Sequence, residues 1–262
     1  MPRLKQGGRR FIERVSRPKP GSASNAGLVS DITWREHLAR YQFAGQVLPP
    51  KGRFLDIAVG TGYGSEVLLN AGGFENRRRI VGVDISKQAI AEARDVKGLR
   101  LVRANAEKTP FKSHSFDGIV SFETIEHLKN PRAFLLEAKR LMKREGSFVV
   151  STPVKELYSA FTGRPWNPFH TKEFRFFEFV DLLRKHFGSV ELYGQSIPRR
   201  ARDYLGLFGV QFMDQIGARG LVKAVLPERF KKAPAALPAI EPISRKGPRP
   251  LYLIAVCKDP KY

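Results

Sequence analysis

FLDIAVGTGYGSEVL, residues 54–68, opens as an apolar strand, passes through alternating glycines and leaves as a helix. Gly60, Gly62 and Gly64 are separated by Thr61 and Tyr63, and Asp56 stands four residues ahead of the first glycine. A strand–glycine turn–helix unit lets backbone approach a ligand closely and offers it free N–H groups at the helix start. In an open parallel sheet that turn falls at the carboxyl end of its strand, where ligands bind. Alone, a glycine turn is a weak signal. Its surroundings decide what it holds.

Upstream, SDITWREHLARYQFAGQVL offers Ser30 as an N-cap and apolar Trp34, Leu38, Tyr41, Ala44 and Leu48 at helical spacing, until PPKG stops the helix. Downstream, strands and helices alternate. RIVGVDI is a strand followed by SKQAIAEARDV, a helix capped by Ser86. LRLVRANA and FDGIVSFE are strands, and NPRAFLLEAKRLM is a helix with Pro131 in its first turn. GSFVVSTP, GSVELYGQSI and RPLYLIAVCK complete seven strands, with the helix KEFRFFEFVDLLRKH before the sixth. Short apolar runs separated by helices predict an α/β fold: a Rossmann-like, three-layer, mostly parallel sheet covered on both faces. Two long segments, 153–171 and 199–248, interrupt this rhythm as a lid and a cap.

The second strand ends on Asp84, 22 residues after Gly62, where a carboxylate can accept both hydroxyls of a ribose. NAEKTPF follows the third strand, and SFDGIVSFETIEHL carries the fourth. With these elements in order, the chain resembles the class I S-adenosylmethionine-dependent methyltransferases, type 11 branch, from about Arg35 to Phe187 plus the last strand. That family's loop reads D-x-A-x-G-x-G in one of its forms, matched by Asp56, Ala58, Gly60 and Gly62. The resemblance implies S-adenosylmethionine as cofactor, with the loop holding its methionine part, Asp84 its ribose and Ile85 packing on its adenine. Asn105 replaces the usual aspartate and retains an amide oxygen for the adenine amino group; Ala106 contributes its backbone N–H. HLARY, residues 37–41, matches a helix that precedes the first motif in the family, and Arg40 is placed to pair with the cofactor carboxylate or to lie on a solvated face. The expected cofactor set is Arg40, Asp56, Ala58, Gly60, Thr61, Gly62, Asp84, Ile85, Asn105, Ala106 and Glu123.

Methyl transfer from a sulfonium needs alignment and exclusion of water, and a hydroxyl or amine acceptor also needs a base of near-neutral pKa. Histidine is the first candidate. Of five histidines, His127 in ETIEHL follows the fourth strand and His170 in NPFHTKEF lies on the lid, so these two are the expected catalytic residues, His127 foremost. A purely structural role for His127 at the strand end competes with this. Glu123, Glu126 and His127, with His170 as a fourth, resemble the metal ligands of the ubiquinone-pathway O-methyltransferases and the small-RNA 2′-O-methyltransferases. A helix-start glutamate and a structural histidine account for the same pattern, and no metal is expected. Tyr158, Phe161, Trp166 and Phe169 form the apolar underside of a lid or a cover for an aromatic, sugar or lipid acceptor.

The net charge is +21, and its excess concentrates at the ends: 9 basic against 3 acidic residues over 1–40, and 13 against 5 over 199–262. Such a field attracts nucleic acid, anionic lipid or acidic glycans, or simply reflects a basic proteome. One cysteine, Cys257, excludes an internal disulfide framework. The basic start lacks an apolar core for a secretory signal, so a cytoplasmic location is expected, with peripheral attachment to a membrane left open. Residues 1–27 read as a basic flexible tail, 28–198 with 249–262 as the catalytic domain, and 199–248 as an insertion. The expected function is methyl transfer to O or N of a small molecule, sugar or lipid-linked glycan. RNA methylation driven by the basic surface and a non-catalytic cofactor-binding protein are the alternatives. A nicotinamide-dependent oxidoreductase is disfavoured by the loop spacing.

Overall fold

The computed structural model describes residues 26–71, 78–158, 165, 167, 169–196, 238–244 and 250–261. The first half runs α1 (Ala26–Val47), β1 (Gly52–Ile57), α2 (Tyr63–Asn70), β2 (Arg78–Asp84), α3 (Lys87–Glu92) and β3 (Arg100–Arg103). The second runs β4 (Phe116–Ser121), α4 (Pro131–Leu141), β5 (Met142–Pro153), α5 (Lys155–Tyr158), α6 (Phe176–His186), β6 (Phe187–Gln195), β7 (Ile240–Pro242) and β8 (Tyr252–Pro260).

All eight strands join one sheet in the order β3-β2-β1-β4-β5-β8-β6-β7. Strands β1 to β5 pair in parallel. Strand β8 inserts antiparallel between β5 and β6. From β1 the chain steps outward to β2 and β3, then returns to β4 on the other side, so the seam between β1 and β4 is the switch point. The turns after β1, β2, β3 and β4 therefore emerge along one edge of the sheet.

Alternation along the strands explains burial on both faces. On β1, Leu55 and Ile57 join a core with Phe134, Leu135, Phe179 and Leu183 of α4 and α6, while Phe54 joins Tyr41, Ala44 and Leu68 of α1 and α2. On β5, Phe148 and Val150 face the first core and Val149 the second. Period-two alternation with both sets apolar is what a doubly covered sheet requires. Caps set the helix starts: Ser86 accepts from the Ala89 N–H ahead of α3, and Asn130 from the Ala133 N–H ahead of α4, with Pro131 in the first turn.

Four expectations are corrected. Helix α1 spans Ala26–Val47, so Ser30 lies inside it and is not its cap. The lid segment contains the short helix α5. Helix α6 starts at Phe176, because Phe174 is drawn out to bridge Val154 in parallel. The sheet has an eighth strand, β7, which the insertion contributes by pairing antiparallel with β6. The rest of the insertion, 199–237 and 245–248, and residues 1–25 of the tail lie outside the described residues. Among the described residues no helix is long and apolar enough to cross a membrane.

Candidate active site

In the turn after β1 every second residue is left-handed: Ala58 at φ 62°, Gly60 at 57° and Gly62 at 83°. Glycine adopts this region without cost, whereas Ala58 holds it at roughly 1–2 kcal/mol. A Cβ on Gly60 would meet nothing within 4 Å, so the turn presents bare backbone to open space. Beneath it, Asp56 is fully buried on the apolar α1/α2 face. Its carboxylate accepts from Ser65 Oγ at 2.7 Å and Tyr41 Oη at 3.1 Å, which ties the turn to both helices. Asp56 thus braces the loop from below.

Asp84, ending β2, accepts from the Gly60 N–H at 3.0 Å and the Ser86 N–H at 2.8 Å, which locks the two turns together. Beside it Ile85 is 55% exposed, a large apolar side chain turned to solvent at the sheet edge. After β3, the Asn105 side chain is exposed and its Oδ1 accepts from the Glu107 N–H at 2.9 Å, while Ala106 is half-buried against the core.

Arg40 is fully buried where α1 crosses the ends of β4, β6 and β8. Its Nη1 donates to Gln195 Oε1 at 2.6 Å, and its guanidinium lies 4.5 Å from the Tyr252 ring centroid. Glu123 Oε1 approaches to 4.0 Å and accepts from Ser151 Oγ at 2.6 Å. Among the described residues, Nε and Nη2 of Arg40 meet no hydrogen-bond partner. A buried guanidinium with unmet donors is costly unless an anion completes it. Gln195, Tyr252 and Glu36 were not singled out from sequence; they lie far along the chain or on a turn of α1 with no motif.

The E-x-x-E-H residues separate. Glu123, at φ 48°, turns toward Arg40. Glu126 and His127 sit on the single turn Ile125–His127 after β4, and residues 169–172 are clamped onto it. Thr171 and Lys172 N–H groups donate to the Glu126 carbonyl, and Thr171 Oγ1 donates to the His127 carbonyl. His127 and His170 stack edge-to-face with centroids 4.8 Å apart, and His170 Nδ1 lies 3.0 Å from Glu173 Oε1. Of the lid aromatics, Phe169 is 45% exposed; the side chains of Tyr158, Phe161 and Trp166 lie outside the described residues.

Three comparisons bear on this edge of the sheet. The family profile described as "Methyltransferase domain" matches residues 55–150, from β1 to β5. A Mycolicibacterium smegmatis protein named "Probable S-adenosylmethionine-dependent methyltransferase" is 28% identical over 222 residues, covering 83% of this chain and 80% of its own. A Mycobacterium tuberculosis protein of the same description is 29% identical over 203 residues, covering 76% and 72%. Residues 55–150 carry a methyltransferase domain, and this chain is an S-adenosylmethionine-dependent methyltransferase. A solved Thermotoga maritima methyltransferase, described as a possible histamine N-methyltransferase, shares the methyltransferase fold at TM-score 0.62 and 20% identity, covering 89% of this chain and 92% of that one.

S-adenosylmethionine is accordingly the cofactor of this methyltransferase. The residues present fit it: open space over Gly60, a strand-end carboxylate at Asp84, an exposed apolar platform at Ile85 and unmet guanidinium donors at Arg40.

Burial also gives the methyltransferase a pH dependence. Removal from water pushes the Asp56 carboxyl up to about 7, against the lowering pull of Ser65 and Tyr41. Burial likewise raises Glu36 to about 7, opposed by Arg40 and by a hydrogen bond with Tyr252. The folded state then holds protons that the unfolded chain releases between about pH 4 and 7, so stability falls as pH rises through that window. The urea midpoint is expected to drop between pH 5 and 8, by roughly 1–3 kcal/mol in stability, and Asp56→Asn to flatten the drop. An unchanged slope in Asp56→Asn would remove Asp56 as its source.

Proposed function

We propose that this methyltransferase transfers its methyl group to O or N of a small molecule, sugar or lipid-linked glycan. In this reading the cofactor carboxylate meets Arg40, its methionine part lies over the turn at Ala58, Gly60, Thr61 and Gly62, and Asp84 takes the ribose. Ile85 underlies the adenine, with Asn105 and Ala106 at its edge. The cofactor supplies an activated methyl on a positively charged sulfur. The chain's own residues align the acceptor, exclude water and handle its proton.

The observation that carries the acceptor side is the grouping of Glu126, His127 and His170 just past β4. The cluster is on the same sheet edge as the glycine turn and Asp84. Glu173 fixes the His170 ring, so the cluster is pre-organised to receive a proton or an oxygen from an acceptor. The net charge of +21 supports an acceptor that is anionic or carried on an anionic surface, and it equally favours RNA as a second reading.

Incubation with methyl-labelled cofactor and fractionated host extract tests the assignment. Label is expected in the small-molecule, glycan or lipid fraction. Label confined to RNA would replace this acceptor class with the second reading. With the acceptor in hand, His170→Ala should lower kcat by about 100-fold or more, while affinity for S-adenosylhomocysteine stays unchanged.

A further inference from the structure

We propose that Gln195 is the positioning residue for Arg40: it holds one nitrogen of the guanidinium so that the other edge of the fork stays open to the cofactor's carboxylate. The inference deepens the reading above and rests on its placement of that carboxylate at Arg40.

Groups from four segments of the chain meet at the Arg40 head. Gln195 ends β6, Tyr252 opens β8, Glu123 follows β4, and Glu36 lies one turn earlier on α1. Gln195 Oε1 accepts from Arg40 Nη1 at 2.6 Å. Glu123 Oε1 stands off at 4.0 Å, beyond hydrogen-bond reach, and accepts from Ser151 Oγ at 2.6 Å. Among the described residues, the donors of Arg40 without a partner are Nε and Nη2. These two make up one edge of the planar fork, the edge that meets a carboxylate with two parallel N–H donors. With Nη1 tied to an amide, that edge is left whole for an anion.

Gln195 is itself fixed at both ends. Its Nε2 donates to the Glu36 carbonyl at 3.0 Å. A guanidinium only donates and a carbonyl only accepts, so the two partners admit one orientation of the amide. The Gln195 backbone pairs with Tyr252 on β8 and with Ile240 on β7, and its carbonyl accepts from the Leu251 N–H at 3.1 Å. Strand β7 comes from the insertion, so the insertion helps seat the residue that aims Arg40.

An amide suits this task where a carboxylate would not. It accepts from Nη1 without cancelling the charge, which leaves the guanidinium fully positive for its ligand. A glutamate there would neutralise Arg40 and set a second acceptor against the Glu36 carbonyl.

Calorimetry on the full chain tests this with two ligands. S-adenosylhomocysteine carries the amino-acid carboxylate; methylthioadenosine has the same nucleoside and a thioether sulfur without it. Gln195→Met keeps the length of the side chain and removes both polar atoms. It is expected to weaken S-adenosylhomocysteine about 10- to 100-fold and to leave methylthioadenosine within about 2-fold of the parent. Gln195→Glu should show the same split. In an Arg40→Met background, Gln195→Met should add less than about 3-fold, because its effect passes through the guanidinium. Equal losses for both ligands would make Gln195 a support of the fold and overturn the proposal. Undiminished S-adenosylhomocysteine binding in Gln195→Met, or an additive double variant, overturns it too. If Arg40→Met alone left that binding intact, the placement of the carboxylate would fail; if it weakened binding and Gln195→Met did not, the positioning role alone would fail.

Discussion

Under the proposed placement, Arg40→Met is expected to weaken S-adenosylhomocysteine binding by about 30- to 1,000-fold in calorimetry. The range corresponds to about 2–4 kcal/mol, the usual cost of truncating one side of a buried, hydrogen-bonded charge pair. Methionine retains much of the arginine's length and apolar stem, so the variant removes mainly the charge and its donors. The unmet Nε and Nη2 of Arg40 are the donors an anionic ligand would complete. The same change leaves Glu36 and Glu123 without their cation, and protonation of Glu36, already raised to about 7, relieves part of that. Arg40→Lys should fall between the two, since it keeps the charge but loses the planar fork. If Arg40→Met lost stability in urea yet bound the ligand as tightly as the parent, the guanidinium would belong to the Gln195 and Glu123 network alone.

Gly64→Ala is expected to have the largest effect on stability, a loss of about 3–5 kcal/mol that leaves little folded protein at 37 °C in urea-free buffer. A Cβ at Gly64 would collide with the ring of Tyr41. That ring cannot swing aside cheaply. It packs edge-to-face on Phe122 at 4.8 Å, and its hydroxyl donates to buried Asp56. Overpacking costs about 1–3 kcal/mol, and a buried carboxylate deprived of a donor costs about as much again. The double variant Gly64→Ala/Tyr41→Ala should cost less than the sum of the two single changes, because the clash exists only when both side chains are present. A Gly64→Ala protein with an unchanged denaturation midpoint would show that α2 can shift away from α1 without penalty.

Much of the sheet edge that carries the glycine turn was legible in the linear chain because its determinants are local. The glycine turn needs left-handed residues at alternate positions, and Gly60 and Gly62 declare them; Ala58 fills the same conformation with strain that no spacing announces. Asp84 and Ile85 were placed by the end of a strand whose apolar run is unmistakable. Ser86 caps its helix and Pro131 stands in the first turn of α4, both as the sequence indicates, since these signals involve residues no more than three apart. Ser30 misled because the helical pattern around it continues upstream with Ala26, Leu28 and Val29. The eighth strand escaped notice because β7 is three residues long and is held by distant partners, pairing with β6 and packing Ile240 against the second core.

The sequence by itself determined the α/β alternation, the glycine turn and the carboxylate that faces it, all consequences of backbone conformation and short-range periodicity. Only the tertiary structure decided which E-x-x-E-H residues stand together, turning Glu123 to Arg40 and bringing His170 to His127. It alone buried Arg40 against Gln195, 155 residues away, and set Tyr41 against Gly64. Those contacts join distant segments whose approach depends on how whole helices pack on the sheet, and no local pattern encodes that distance.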